Sequence, residues 1–77
     1  MLNGQRTTRA PDERYGLVDV LDLALQGAET CTLYLRVAEQ GGDNELAQFF
    51  RAAQQEESRL AERAQELLNQ RVDQANR

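Results

Sequence analysis

Apolar residues recur in alternating steps of four and three along two long stretches of this chain, the spacing of a helix that buries one face. The first stretch begins at Pro11, a residue suited to the first turn of a helix, and ends before Gly41 and Gly42. The second follows Asp43. The buried positions predicted in the first helix are Leu17, Leu21, Ala24, Ala28, Cys31, Leu35 and Ala38. Those predicted in the second are Leu46, Phe50, Ala53, Glu57, Leu60, Ala64, Leu67 and Arg71.

These stretches predict an all-α protein with one small domain in its 77 residues. We expect a flexible N-terminal arm over 1–10, helices over 11–40 and 44–74, a loop over 41–43 and a frayed tail over 75–77. Asp43 is the favoured N-cap of the second helix, with Asn44 as the alternative. Two helices of nearly equal length joined by a tight loop indicate an antiparallel α-hairpin.

The first helix is apolar over more of its circumference than one partner helix can cover. A second apolar stripe passes through Val20, Gly27 and Tyr34, and Val18 and Leu25 widen the arc on the other side. A lone hairpin would leave much of this surface in water. We therefore expect two copies to pair as a closed homodimer with a four-helix bundle. A larger ring and a free-standing hairpin remain as alternatives.

Glu57 is the unusual member of the second helical pattern, because a carboxylate at a buried position is costly unless it is paired, hydrogen-bonded or bound to a metal. If Ala38 faces Leu46, residues whose numbers sum to about 84 share one level, which places Glu57 beside Gly27 and Ala28. Glu29 lies close to the same level. Two readings stay open: a polar layer held by hydrogen bonds or by an Arg, and a divalent-metal site built from Glu57 and Glu29 of two chains.

The charge of the chain restricts its partners. All nine basic residues are Arg, thirteen residues are acidic, and the net charge of −4 disfavours nucleic acid and anionic membrane surfaces. No apolar run is long enough to span a bilayer. The single cysteine, Cys31, cannot form an internal disulfide and is read as a packed apolar residue, which fits a cytoplasmic protein.

The segment RVAEQGGDNELAQFFRAAQQEESRLAERAQELL resembles the ferritin-like superfamily, in particular its rubrerythrin-type and encapsulated-ferritin-type members. Aligned without gaps, Glu57 falls on a ligand Glu of that family and Leu60 on its ligand His. The ligand Glu of the first helix falls on Ala24, or on Gln26 in the encapsulated-ferritin register. The resemblance covers roughly residues 24–68. It implies a four-helix bundle, and in its metal-binding members a divalent metal in the core.

This chain departs from that family in its ligands, because it contains no histidine and retains only Glu57 in the better register. We therefore expect no ferroxidase or peroxidase activity and no catalytic residue. The sequence favours a non-enzymatic, homo-oligomeric interaction or assembly module without a resident cofactor, with an unidentified protein partner left open. The alternative is a minimal ferritin-like protein that binds Fe, Mn or Ca through Glu57 and Glu29.

Overall fold

The computed structural model describes residues 13–75 of the chain, with the side chains of residues 14–72, and shows two helices packed against each other. Helix α1 covers Glu13–Gln40 and helix α2 covers Asn44–Ala75. The all-α hairpin expected from the sequence is therefore confirmed. The predicted arm over 1–10, the helix start at Pro11 and the end of the tail lie outside the described residues.

The loop between the helices is closed by two capping motifs that share one residue. Gly42 takes a left-handed backbone conformation with φ 73°, and its N–H donates to the Glu39 carbonyl at 3.1 Å. The Asp43 N–H donates to the Ala38 carbonyl at 2.9 Å, which completes a Schellman C-cap. The Asp43 carboxylate then accepts from the Leu46 N–H at 3.1 Å as the N-cap of α2. One residue thus ends the first helix and starts the second.

The predicted register between the helices is confirmed by three contacts. The Glu57 side chain lies against Gly27, Tyr34 stacks on Phe50, and Gln54 bonds to Thr32. The residue numbers of each pair sum to between 84 and 86. Each level of the hairpin can therefore be assigned from the sequence once the loop is known.

The interior of the hairpin consists of alanine. Every fully buried residue among those described is an alanine, and no polar residue of the described part is fully buried. In α1 the seven predicted seam positions are all buried or half-buried. In α2 the prediction was wrong at Leu46 and Leu60, which are 46% and 47% exposed. Ala47 and Ala61 take their places at 6% and 5% exposure.

This rotation of α2 has a steric reason. The seam of α2 still contains Phe50, Glu57, Ala64 and Arg71, and the predicted Ala53 and Leu67 are half-buried together with Gln54 and Leu68. Ala47 and Ala61 take the places of Leu46 and Leu60. Alanine at these two positions lets the helices approach closely, whereas leucine there would hold them apart. Leu46 and Leu60 lie on the flank.

Candidate interaction surface

The displaced side chains leave the hairpin with large apolar groups in water. Twelve large hydrophobic side chains are exposed among the described residues, and the buried ones are only alanines. A buried methyl group contributes about 0.8 kcal/mol, less than half of what a buried leucine contributes. The hairpin therefore buries its alanines most completely, while its larger apolar side chains are half-buried or exposed.

Three aromatic rings near the loop show on which side these groups gather. Tyr34 of α1 stacks on Phe50 of α2, with centroids 5.7 Å apart and planes at 29°. Phe49 meets Phe50 edge to face at 5.3 Å and 73°. Phe50 is half-buried, whereas Phe49 is 61% exposed. The rings of Tyr34 and Phe49 therefore belong to one and the same face of the hairpin.

Helical periodicity extends this face from the loop as far as Val20 on α1 and Leu60 on α2. Residues three, four or seven apart lie on one side of a helix, so Val37, Leu23 and Val20 share the side of Tyr34. In the same way Leu46 and Leu60 continue the side of Phe49 on α2. Each of these side chains is exposed. We call this surface the apolar face; its exposed members are Val20, Leu23, Tyr34, Val37, Leu46, Phe49 and Leu60.

The opposite side of the hairpin carries polar contacts, and we call it the polar face. Arg51 donates to Glu39 at 2.8 Å across the two helices, with about half of each side chain exposed. Gln54 donates to the Thr32 hydroxyl at 2.7 Å, and that hydroxyl donates to the Ala28 carbonyl at 2.9 Å. An ion pair as exposed as Arg51–Glu39 is worth at most about 1 kcal/mol. The two faces therefore differ sharply in chemistry.

Glu57 lies half-buried between the helices, where Gly27 makes room for it. A Cβ built at Gly27 would stand 2.8 Å from the Glu57 carboxyl carbon and closer still to its Oε2. Within residues 14–72, no hydrogen bond or ion pair reaches this carboxylate. The Thr32 hydroxyl of the facing helix is bonded to Gln54. The sequence predicted correctly that Glu57 lies opposite Gly27. The structure shows its carboxylate against this glycine, with no polar partner among the described residues.

Glu29, the other candidate metal ligand, is not brought to Glu57 within one hairpin. It is two residues from Gly27, about 200° around α1 at 100° per residue, and therefore points to the other side. There it lines a shallow depression of 430 Å³ formed by α1 residues, together with Leu25, Leu33 and Arg36. Among the described residues, no three acidic or cysteine side chains are grouped closely enough to hold a metal ion.

Sequence reasoning missed two features of this surface. The first is the seam position of Gln54. Gln54 lies seven residues after Ala47 and seven before Ala61, so its position follows once the heptad through these alanines is recognised. The second is the alanine heptad itself, which was hidden because Leu46 and Leu60 supply an equally regular and more hydrophobic pattern. Cys31 is half-buried at a seam position, as expected.

Comparison of this chain with protein-family models, with curated proteins and with solved structures finds no match. The resemblance to ferritin-like proteins therefore depends on the residues quoted above. Neither helix, over the described residues, combines the length and hydropathy required to cross a membrane. Fold and surface together define an antiparallel α-hairpin with an alanine seam, one apolar face and one polar face.

Proposed function

We propose that this protein is a non-enzymatic assembly module, in which two hairpins pair through their apolar faces to form a four-helix bundle. The observation that carries the proposal is the concentration of exposed large side chains on one face while only alanines are buried. Contiguous apolar surface of this kind marks an interaction site. A second copy supplies the same surface in complementary form, as a two-fold contact requires.

The size of the apolar face can be compared with that of known interfaces. The face runs from Val20 to Val37 along α1, roughly 26 Å at 1.5 Å per residue. Two helices whose axes lie about 8–10 Å apart present a face roughly 20 Å wide. The product is on the order of 500 Å² per chain, the size of a small interface, since a standard specific interface buries about 800 Å² on each partner.

The proposal is tested by measuring the mass of the full chain in solution, by sedimentation equilibrium over a range of concentrations. We expect a monomer–dimer equilibrium dominated by dimer. The double variant Leu23→Gln with Phe49→Gln places two polar groups in the apolar face and should shift the equilibrium to monomer. Its control is Val18→Gln with Leu25→Gln, which changes two exposed apolar side chains that lie seven residues apart, in line with Thr32 a further seven residues on, on the side of the polar face.

Either of two results would reject this function. One is a wild-type chain that stays monomeric at all concentrations. The other is a control pair that disrupts the dimer as strongly as the apolar-face pair, because association would then use a different surface. Circular dichroism of each variant shows whether the helices remain formed.

A minimal metal-binding protein is the second candidate, favoured by one observation. Glu57 is half-buried against Gly27, and no described side chain bonds to it. In a dimer, carboxylates from two chains would supply oxygen ligands of the type that Ca²⁺ and Mn²⁺ prefer. Glu57 is the first ligand in this proposal, and Glu29 would have to come from another copy.

This second candidate is tested by thermal unfolding of chelator-treated protein with and without Fe(II), Mn(II) or Ca(II). A ligand present at 100 times its Kd, binding only the folded state, adds about 2.7 kcal/mol of stability. The midpoint should rise with one of these ions in the wild type and not in Glu57→Gln. An unchanged midpoint with all three ions removes the metal function and leaves the assembly function intact.

A further inference from the structure

Glu57 occupies the centre of the hairpin in both of its long dimensions. Along the helices, Glu57 lies near the middle of α2 (Asn44–Ala75), and its neighbour Gly27 lies at the middle of α1 (Glu13–Gln40). Across the helices, its carboxylate contacts Gly27 of the opposite helix, so it lies on the line between them. The apolar face extends from this point toward both ends of the hairpin.

A central position has a special consequence in a symmetric dimer. Two hairpins stacked face to face are related by a two-fold axis in the plane of the interface, directed either along the helices or across them. A residue in the middle of the face lies near both of these axes. Such a residue therefore lies next to the same residue of the partner chain whichever of the two axes relates the hairpins. A residue near one end or one edge of the face does so for one of the two axes at most.

We propose that the two Glu57 carboxylates of the dimer lie next to each other at the centre of its interface, where their repulsion weakens association and keeps the assembly reversible. This inference depends on the proposed dimer. Around Glu57 the apolar face carries Leu23, Leu60 and the aromatic cluster, and the exposed Glu56 lies on the same side, seven residues after Phe49. Two carboxylates in such surroundings repel more strongly than in water, because the local dielectric constant is lower.

An acidic residue on the far side of α2 provides a matched control. Glu62 is exposed and lies five residues after Glu57, about 140° around the helix and away from the apolar face. Glu57→Gln and Glu62→Gln each remove one negative charge from the chain. Only the first removes a charge from the centre of the interface. The comparison therefore separates local repulsion from the general effect of a net charge of −4.

The first experiment measures the dimer dissociation constant of the full chain by sedimentation equilibrium, with a chelator present throughout. We expect Glu57→Gln to bind about tenfold more tightly than the wild type, or better. Glu62→Gln should differ from the wild type by less than about threefold. A wild-type dimer whose affinity is unchanged by Glu57→Gln, or equally improved by Glu62→Gln, would overturn the inference while leaving the dimer itself established.

The second experiment tests proximity directly. In a Cys31→Ser background, Glu57→Cys should be joined efficiently to its copy by a bismaleimide reagent of about 10 Å, the spacing of packed helices. Glu62→Cys is the control, because position 62 is exposed on the other side of α2. Equal cross-linking at both positions, or none at 57 in a sample that sediments as a dimer, contradicts the inference. A wild-type chain without any dimer instead contradicts the proposed function.

Discussion

At the scale of single residues, the contact between Gly27 and Glu57 is the feature that most distinguishes this hairpin. Glycine in the middle of a helix costs roughly 1 kcal/mol relative to alanine, so its presence needs a reason. The reason is steric, because any side chain at position 27 would overlap the Glu57 carboxylate. The carboxylate is the flexible end of its side chain, so it can move away at a modest cost.

This contact predicts a measurable coupling between the two positions. Gly27→Ala should raise the free energy of unfolding by about 1 kcal/mol in a Glu57→Ala background, through helix propensity. In the wild-type background the gain should be smaller by about 0.5–1 kcal/mol, because the carboxylate must rotate away. Urea unfolding of the four proteins at one concentration gives the coupling.

Gly16 provides the control for this cycle, because a Cβ there meets nothing within 4 Å. Gly16→Ala should give the same change whether residue 57 is Glu or Ala. If Gly27→Ala also behaves identically in both backgrounds, the steric role assigned to Gly27 is wrong.

At the scale of the helices, the size of the side chains at two positions of each pattern decides which side of α2 faces α1. Both the pattern through Leu46 and Leu60 and the pattern through Ala47 and Ala61 have heptad spacing. The alanine pattern lies between the helices, and the leucine pattern lies on the apolar face. Small residues at the seam let the helices pack closely and leave the large side chains available for a partner.

This arrangement predicts that a large residue at the alanine seam is harmful. Ala61→Leu should lower the free energy of unfolding by about 1–3 kcal/mol, because it forces the helices apart. The control is Ala52→Leu, at an exposed position on α2, which should change the stability by less than about 0.5 kcal/mol. Chemical denaturation measures the free energy of unfolding of both variants. A neutral Ala61→Leu would show that the seam does not run through position 61.

At the scale of the whole molecule, the hairpin and its proposed assembly are thermodynamically linked. A chain whose most completely buried side chains are alanines gains little from folding by itself, and pairing of the apolar faces would add the burial of large side chains. The stability of such a protein depends on its concentration. Folding and association should then be observed as one transition.

The melting temperature should therefore rise with protein concentration. A hundredfold increase adds about 2.7 kcal/mol to each dimer, which corresponds to a rise of roughly 5 °C or more for a chain of this size. Circular dichroism in cells of different path length measures it. The Leu23→Gln, Phe49→Gln variant should melt lower and independently of concentration. A wild-type midpoint independent of concentration would mean that the hairpin is stable as a monomer.

Much of this protein was determined by local sequence. Helix periodicity, the Gly41–Gly42 break and the Asp43 cap each act over a few residues. The tight loop then fixes which residues of the two helices lie opposite each other, so the sequence alone places Glu57 beside Gly27. The tertiary structure alone decided the rotation of α2 about its axis. Two heptad patterns competed there, and periodicity cannot rank them; close packing selected alanine for the seam and so created the apolar face.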